Sequence, residues 1–219
     1  MIKAIIFDFD GVIADSNNVK TYAFVKLFKD YPKHIRELIR KFHLQNGGMS
    51  RFDKFRYIYA NFLKESLPDV KFNKLCEDFN KLVIDGVVSA PIIDGVEDFL
   101  KRNKKKYDTH IVSGTPDYEI KEIVRRRGLD KYFLNIYGSP EAKRDLIIKV
   151  LNRNNYNKDE VVFLGDSIND YEAALSAGVE FVAKISDKAE FELFPGVSLK
   201  TKVKTMREFE KYLDGEKES

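Results

Sequence analysis

The chain has 219 residues, of which 43% are hydrophobic and 33% are charged, and its net charge at neutral pH is +3. This composition is typical of a globular protein that can bury a core, and the length fits one large domain or two small ones. So small a net charge does not indicate nucleic acid as a partner. The longest uncharged apolar stretch near the start, residues 4–7, is too short for a signal peptide or a membrane span.

The single cysteine, Cys76, excludes an internal disulfide and a metal site built from several cysteines. We therefore expect a cytoplasmic protein that does not associate with membranes. The charge is unevenly distributed: residues 16–90 hold 14 Lys and Arg against 8 Asp and Glu, and the rest holds 24 against 27. Solvated helix faces explain most such asymmetries, but a basic segment beside an acidic site also attracts an anionic substrate.

Short apolar runs that are rich in β-branched and aromatic residues predict buried parallel strands. These runs are residues 2–7, 109–113, 135–137, 161–165 and 180–184. Helical spacing predicts helices over residues 96–105, 117–127, 140–152 and 170–177. Strands and helices that alternate in this way predict an α/β fold with a parallel sheet covered on both faces.

Residues 18–84 interrupt this alternation, because they show helical spacing and no strand pattern. Helices are predicted there over residues 22–29, 34–42, 51–63 and 73–82. We expect residues 17–85 to form an inserted, all-helical second domain, while residues 1–16 and 86–219 form the α/β domain. Hinges between the two are expected at residues 14–18 and 85–91.

Asp8 and Asp10 follow the first predicted strand directly, in the sequence Asp8-Phe9-Asp10-Gly11-Val12. Residues i and i+2 of an extended chain point the same way, so both carboxylates face one pocket. Carboxylates at that distance raise each other's proton affinity or share a hard cation such as Mg²⁺. A strand that ends in two turn-forming aspartates is the alternative.

Ser113 ends the second predicted strand and Gly114 follows it, while Lys143 lies near the start of a later helix. A hydroxyl and free backbone N–H groups at a strand–helix junction favour phosphate binding. A lysine there is able to neutralise phosphate oxygens, and Arg144 is its rival. Taken singly, a turn with a helix cap and a solvated lysine explain the same residues.

Asp166 and Asp170 lie in Gly165-Asp166-Ser167-Ile168-Asn169-Asp170, after the fourth predicted strand. The carboxyl ends of parallel strands meet at one edge of a sheet, where ligands bind. Asp166 and Asp170 therefore join Asp8 and Asp10 in a predicted oxygen-rich metal site. Together the four motifs indicate phosphoryl transfer.

The four motifs, Asp-Phe-Asp-Gly-Val, Val-Ser-Gly-Thr-Pro, the lysine of Ser-Pro-Glu-Ala-Lys and Gly-Asp-Ser-Ile-Asn-Asp, strongly resemble those of the haloacid dehalogenase superfamily. The resemblance covers essentially the whole chain. It implies a Rossmann-like core, and the helical insert is similar to the C1-type cap of phosphoglycolate-phosphatase-like and β-phosphoglucomutase-like members.

The resemblance also implies roles for the residues in these motifs. Asp8 would be the nucleophile that forms a phosphoaspartyl intermediate, and Asp10 the general acid and base. Ser113, Gly114 and Lys143 would bind phosphate. Mg²⁺ would be bound by Asp8, Asp166 and the Asp10 carbonyl, with Asp170 as a further ligand or a partner of the ligands. An aspartate at position 10 fits phosphatases and phosphomutases rather than dehalogenases or transport ATPases.

Within the predicted cap, His43, Gly48 and Arg51 are the candidates for substrate specificity. A Gly-Gly turn followed by Arg51 at a helix start places a guanidinium where it can contact an anionic substrate. A flexible loop with an ordinary surface arginine is the alternative reading of that segment, and His43 is equally ambiguous.

The sequence predicts a magnesium-dependent phosphatase of a small phosphorylated metabolite, such as a sugar phosphate, acting as a monomer or homodimer. A phosphosugar mutase of the same fold is one alternative, because it differs mainly in how well water is excluded. A non-catalytic phosphate-binding regulatory protein, such as a receiver domain, is another. A receiver, however, carries its phosphorylated aspartate on a middle strand and has no such helical insert.

Overall fold

The computed structural model describes residues 1–46, 51–185, 194 and 196–215. The chain divides into two compact units. Unit 1 consists of Met1–Asp15 and Ala90–Ser219, and unit 2 consists of Ser16–Ser89.

The strands are β1 (Ala4–Phe7), β2 (Asp108–Pro116), β3 (Asn135–Ser139), β4 (Val161–Gly165), β5 (Glu180–Lys184) and β6 (Lys202–Val203). The helices are α1 (Val19–Leu27), α2 (Lys33–Gln45), α3 (Arg51–Tyr57), α4 (Asp69–Ser89), α5 (Val96–Asn103), α6 (Asp117–Arg126), α7 (Lys143–Asn154), α8 (Ile168–Ala177) and α9 (Met206–Leu213). A π-helical stretch, Ile58–Leu63, continues α3, and 3₁₀ turns occur at Asp130–Tyr132 and Lys158–Glu160.

The six strands form one sheet in the order β3-β2-β1-β4-β5-β6, and every neighbouring pair is parallel. The chain builds the sheet outward from β1, first through β2 and β3 and then, on the other side, through β4 to β6. The direction of winding therefore reverses between β1 and β4, and ligands of such sheets bind at that switch point. The predicted α/β, Rossmann-like parallel fold is confirmed.

Neighbouring residues of β1 show how the sheet is covered on both faces, since successive side chains of a strand point to opposite sides. Phe7 meets Phe99 of α5 and Phe209 of α9, with ring centroids 6.2 and 6.3 Å apart. Ile6 belongs to a buried cluster that includes Leu146 of α7 and Ala173 of α8. All four residues of β1 are fully buried, which explains why its sequence is a continuous apolar run.

Unit 2 is helical, with α1 to α4 and the π-helical stretch. Its core contains three packed rings, Phe24, Phe55 and Phe79, whose centroids lie 4.6–5.8 Å apart. Among the described residues of the whole chain, no helix combines the length and apolarity needed to cross a bilayer.

Several predicted element boundaries are wrong. The expected hinge at residues 85–91 is helical over its first part, because α4 continues to Ser89, where Val83 and Val87 remain buried along one face. The predicted helix over residues 140–152 begins only at Lys143, and the one over residues 170–177 begins at Ile168, after the capping residue Ser167. Two elements near the end, β6 and α9, were not predicted. The two-residue β6 is too short to show an alternating pattern.

Candidate active site

Asp8 is placed by the end of β1 at the switch point of the sheet. It directly follows Phe7, which lies between Ile111 of β2 and Leu164 of β4 in the strand register. The Asp8 backbone N–H donates to the Leu164 carbonyl oxygen over 3.0 Å. This bond holds the end of β1 against β4, so that Asp8 lies beside the turn that carries Asp166.

Three carboxylates meet at this edge. One oxygen from each of Asp8, Asp166 and Asp170 lies within 4.8 Å of the others, so the three side chains can share one metal ion. Asp8 follows β1, Asp166 follows β4, and Asp170 lies in the first turn of α8. The topology thus brings Asp8 together with residues more than 150 positions away along the chain. This was expected, because the carboxyl ends of parallel strands meet at one edge of the sheet.

Asp170 is fully buried and its carboxylate is held by several donors. Its Oδ2 accepts hydrogen bonds from the backbone N–H groups of Asp166 and Ser167, at 3.2 and 3.1 Å, and from Ser167 Oγ at 2.7 Å. Ser167 and Asp170 together form a capping box at the start of α8. Gly165 is required beside them, since a Cβ there would lie 2.5 Å from Asp170 Cβ.

Lys143 is the first residue of α7 and supplies positive charge to the cluster. Its Nζ lies 3.1 Å from Asp8 Oδ2, and it also pairs closely with Asp170 Oδ1. Burial opposes the charge on Lys143, but the two carboxylates outweigh burial and raise the pKa of this ammonium above its ordinary value. Lys143 therefore stays protonated at neutral pH.

The carboxylate of Asp8 has more negative charge around it than Lys143 balances. Burial raises the pKa of Asp8 well above 3.8, Lys143 opposes this rise, and Asp170, Asp166 and Asp10 add to it. Among the described residues, Asp8 Oδ1 is buried and has no hydrogen-bond partner. A buried carboxylate oxygen without a partner, in a cluster of three carboxylates, is what a hard divalent cation would satisfy, so these residues fit such an ion.

Ser113 and Gly114 lie at the end of β2. Ser113 is buried, and its Oγ accepts a hydrogen bond from the Thr115 backbone N–H over 3.1 Å, which leaves its own O–H proton available for an anion. Gly114 is exposed and borders Lys143, since a Cβ at Gly114 would lie 3.7 Å from Lys143 Cε. The predicted phosphate-binding residues Ser113, Gly114 and Lys143 thus lie at the same edge of the sheet.

Asp10 is half-buried in the turn after β1, and its Oδ2 accepts a hydrogen bond from Thr115 Oγ1 over 3.1 Å. Thr115 was not among the candidate residues. The alternation of Ser113 and Thr115 along β2 is a signal that identifies it, because side chains two apart on a strand share a face.

Two of the candidates in unit 2, His43 and Arg51, make contacts within that unit. His43 packs on Phe24, with ring centroids 4.5 Å apart, and its Nδ1 lies 3.2 Å from Lys54 Nζ. Burial, with help from Lys54 and Lys20, lowers the pKa of His43 to about 4, so the ring is neutral at pH 7. Gly48 lies outside the described residues.

Arg51 begins α3, where it donates to Asn80 Oδ1 and lies over the Phe79 ring, 5.2 Å from the centroid. A role in specificity stays a prediction for all three candidates in unit 2, His43, Gly48 and Arg51.

Lys54 is a second residue that the sequence analysis did not single out, and it is notable as a buried ionisable group. It is buried in α3, and burial, with a smaller contribution from Lys20, lowers its pKa to about 8. Its Nζ also lies 3.4 Å from the His43 carbonyl oxygen. In the sequence, Lys54 lies between Phe52 and Phe55, which is the one indication that it could be buried. A lysine in such a place is also typical of an exposed helix position.

Comparisons with known proteins agree with this geometry. The family model described as haloacid dehalogenase-like hydrolase matches residues 5–184. A curated relative, a phosphorylated carbohydrates phosphatase of Thermotoga maritima, is 27% identical over 82% of this chain and 83% of its own.

Solved structures share the fold. A predicted phosphoglycolate phosphatase of Haemophilus somnus superposes with a TM-score of 0.77 at 18% identity, covering 97% of this chain and 98% of its own. A protein of Bacillus subtilis, YfnB, assigned as a HAD hydrolase and solved bound to magnesium, superposes with a TM-score of 0.73 at 18% identity, covering 97% and 99%.

The family match spans all four motifs together with the segment between the first and second of them. The resemblance that the motifs indicated is therefore confirmed, and so is the expectation of an enzyme. The chain belongs to the haloacid dehalogenase-like hydrolase family.

Proposed function

We propose that the protein is a magnesium-dependent phosphatase that hydrolyses a phosphomonoester of a small metabolite through a phosphoaspartyl intermediate on Asp8. The observation that carries this proposal is the position of Asp8, 3.1 Å from the Lys143 ammonium and within 4.8 Å of the carboxylates of Asp166 and Asp170. A carboxylate approaches a phosphate dianion only where cations offset the repulsion between them.

Magnesium would be held by Asp8, Asp166 and the Asp10 carbonyl oxygen, because this ion prefers hard oxygen ligands. Asp170 would act chiefly on the other ligands, since its Oδ2 binds the backbone N–H groups of Asp166 and Ser167 and its Oδ1 pairs with Lys143. The bound ion would supply Lewis-acid stabilisation of the negative charge on the phosphoryl group.

In the first step an oxygen of Asp8 attacks phosphorus and the bond from phosphorus to the ester oxygen breaks. Asp10 gives its proton to the leaving alkoxide, so that an alcohol departs and Asp8 carries the phosphoryl group. In the second step Asp10 takes a proton from water as this water attacks phosphorus. The bond to Asp8 breaks, inorganic phosphate is released, and both carboxyl groups return to their starting states.

The phosphoryl oxygens would be bound by Ser113, Gly114 and Lys143. Ser113 is able to donate its hydroxyl proton while its Oγ accepts from the Thr115 N–H, and the exposed Gly114 offers a backbone N–H. Lys143 is held protonated by Asp8 and Asp170, so it brings a full positive charge.

We propose that unit 2 acts as the cap and selects the substrate, with His43, Gly48 and Arg51 as candidate contacts. Residues 16–90, which span it, hold 14 Lys and Arg against 8 Asp and Glu, which favours an anionic substrate. The name of the Thermotoga maritima relative supports a phosphorylated carbohydrate as the substrate class. The Bacillus subtilis structure, solved with magnesium, was reported to show interdomain movement, which supports a mobile cap. A cytoplasmic location and a monomeric or homodimeric state stay predictions.

The test is phosphate release from a panel of sugar phosphates, phosphoglycolate, nucleotides and phosphorylated polyols, with Mg²⁺ or with EDTA. We expect release by the wild-type protein with Mg²⁺, and a loss of more than about 10³-fold in Asp8→Asn, since an amide is a far weaker nucleophile than a carboxylate. Asp145→Asn, an exposed change in α7, is the matched control and should keep full activity.

Asp8→Asn with wild-type turnover would exclude Asp8 as the nucleophile. Absence of phosphate release from every ester, together with isomerised sugar phosphate that appears only when a bisphosphate is added, would instead identify a phosphosugar mutase.

A further inference from the structure

We propose that Thr115 is a positioning residue for Asp10, and that its hydroxyl orients the carboxyl group that transfers the proton. This inference rests on the proposed function, in which Asp10 is the general acid and base. The observation is the hydrogen bond from Thr115 Oγ1 to Asp10 Oδ2, 3.1 Å long, made by a threonine that is only 3% exposed. A hydroxyl that donates to Oδ2 favours Oδ1 as the oxygen that carries the transferable proton.

Thr115 is itself held firmly, so it is able to orient another side chain. Its backbone N–H donates to Ser113 Oγ over 3.1 Å. Its carbonyl oxygen packs against Gly138 of β3, where a Cβ would come within 2.3 Å of that oxygen. The pairing of β2 with β3 is irregular between Val112 and Pro116, and this irregularity shapes the backbone that presents Thr115.

The position of the Asp10 carboxyl group matters for the proposed proton transfer. Asp8 is buried, and its backbone is tied to β4 through Leu164. Asp10 lies half-buried in the turn that follows β1. Proton transfer requires the carboxyl within hydrogen-bond reach of the leaving oxygen, and a small misplacement of a catalytic group lowers rates by as much as about 10²-fold.

The end of β2 would contribute both to phosphate binding and to the orientation of Asp10. Ser113, the proposed phosphate ligand, and Thr115, the partner of Asp10, are two residues apart and directly bonded through the Thr115 N–H. The same short segment would therefore set the phosphoryl group and the proton donor relative to each other. This is a role for Thr115 distinct from binding phosphate.

The test compares Thr115→Val, which has nearly the same shape but no hydroxyl, with Thr115→Ser, which keeps the hydroxyl. The substrates are p-nitrophenyl phosphate and phenyl phosphate, which are similar in size. The phenolate of phenyl phosphate is the poorer leaving group and depends more on a proton donor. Crystal structures of both variants report the orientation of the Asp10 carboxyl independently of activity.

We expect Thr115→Val to lower kcat/KM for phenyl phosphate by about 10- to 100-fold and to affect p-nitrophenyl phosphate much less. Thr115→Ser should restore the wild-type ratio between the two esters. In the crystals, Asp10 should be turned or split between orientations in Thr115→Val, and should have the wild-type orientation in Thr115→Ser.

An equal loss on both esters, or no loss on either, would overturn the positioning role. Should Thr115→Val fail to fold, as judged by its circular dichroism, Thr115→Ala takes its place with the same expected pattern. Should the wild-type protein hydrolyse neither ester, the panel of metabolite esters decides separately about the phosphatase proposal. The crystal structures then decide about Thr115, and an unmoved Asp10 in Thr115→Val would refute the inference.

Discussion

At the scale of single residues, burial is what separates Asp8 from an ordinary surface carboxylate. It raises the pKa of Asp8 well above 3.8, while Lys143 acts against this rise. If Asp8 is the nucleophile that we propose, it must be ionised, and a divalent cation bound by Asp8 would favour the ionised form in the same way as Lys143. The acid cluster and the lysine are therefore parts of one electrostatic arrangement.

His110 of β2 carries a pH-dependent part of the stability. It is 0% exposed, its Nδ1 lies 3.1 Å from Asn135 Nδ2, and burial lowers its pKa to about 4, with Asp108 opposing. In the unfolded chain the imidazole gains its proton near pH 6.5, whereas in the folded protein it remains neutral until about pH 4. The unfolded state thus binds more protons between these values, so stability falls as the pH falls through this window.

We expect the free energy of unfolding to drop by about 2–3 kcal/mol between pH 7 and pH 4.5 through His110 alone. Urea unfolding at both pH values measures the drop, and His110→Phe should lack this part of it. If the wild-type protein and His110→Phe lost stability equally, the histidine would not be the source.

At the scale of elements, the turn from β4 into α8 shows why one glycine matters. Gly165 ends β4, and its missing side chain leaves room for the Asp170 carboxyl, which caps the turn and pairs with Lys143. Asp170 is thereby tied to the backbone of Asp166, one of the proposed metal ligands.

Gly165→Ala should destabilise the protein by about 1–3 kcal/mol, because the new Cβ would lie 2.5 Å from Asp170 Cβ. It should also weaken Mg²⁺ binding by about tenfold, since displaced supporting groups misplace the ligands. Chemical denaturation in EDTA and calorimetric titration with Mg²⁺ measure the two effects.

Gly114→Ala is the matched control for stability, because a Cβ at Gly114 meets nothing closer than 3.7 Å. Unchanged Mg²⁺ affinity in Gly165→Ala would show that Asp170 does not support the metal ligands.

The accuracy of the predicted bounds differed between elements. The runs that became β4 and β5 were both predicted with the observed bounds. In β4 the reason is that a strand buried on both faces is a continuous apolar run. The start of α7 was set three residues too early, and α4 was ended too soon at residue 82. Propensity does not show where a tertiary contact stops or extends a helix.

At the scale of the whole molecule, the segment of unit 1 that leads into unit 2 lies beside the segment that follows unit 2 in the chain. The Asp15 N–H donates to the Pro91 carbonyl oxygen and the Ile93 N–H to that of Ile13, each over 2.9 Å, and Ala14 pairs with Ile92 in antiparallel fashion. Because its two ends are adjacent, unit 2 is inserted without disturbing the order of strands and helices in unit 1, as in domains that are inserted into loops.

Replacing residues 16–89 by a short Gly-Ser linker should therefore leave unit 1 able to fold, because the segments that the linker joins are already hydrogen-bonded to each other. Circular dichroism and a single cooperative unfolding transition test this expectation. If unit 2 is the cap, the shortened protein should hydrolyse p-nitrophenyl phosphate but no longer discriminate among sugar phosphates. A variant without cooperative unfolding would contradict the independence of unit 1.

The α/β class, the helical insert and the four motifs at strand ends could be predicted from the amino-acid sequence, because they depend on local patterns and on the order of elements. Which side chains meet depends on the packed fold and could not be predicted in this way. The 4.8 Å acid cluster, the Lys143 pairs and the bond from Thr115 to Asp10 join positions up to 162 residues apart along the chain. The same holds for burial, which changes the pKa of Asp8, His43, Lys54 and His110. Burial depends on what packs around a side chain, and local sequence does not encode that.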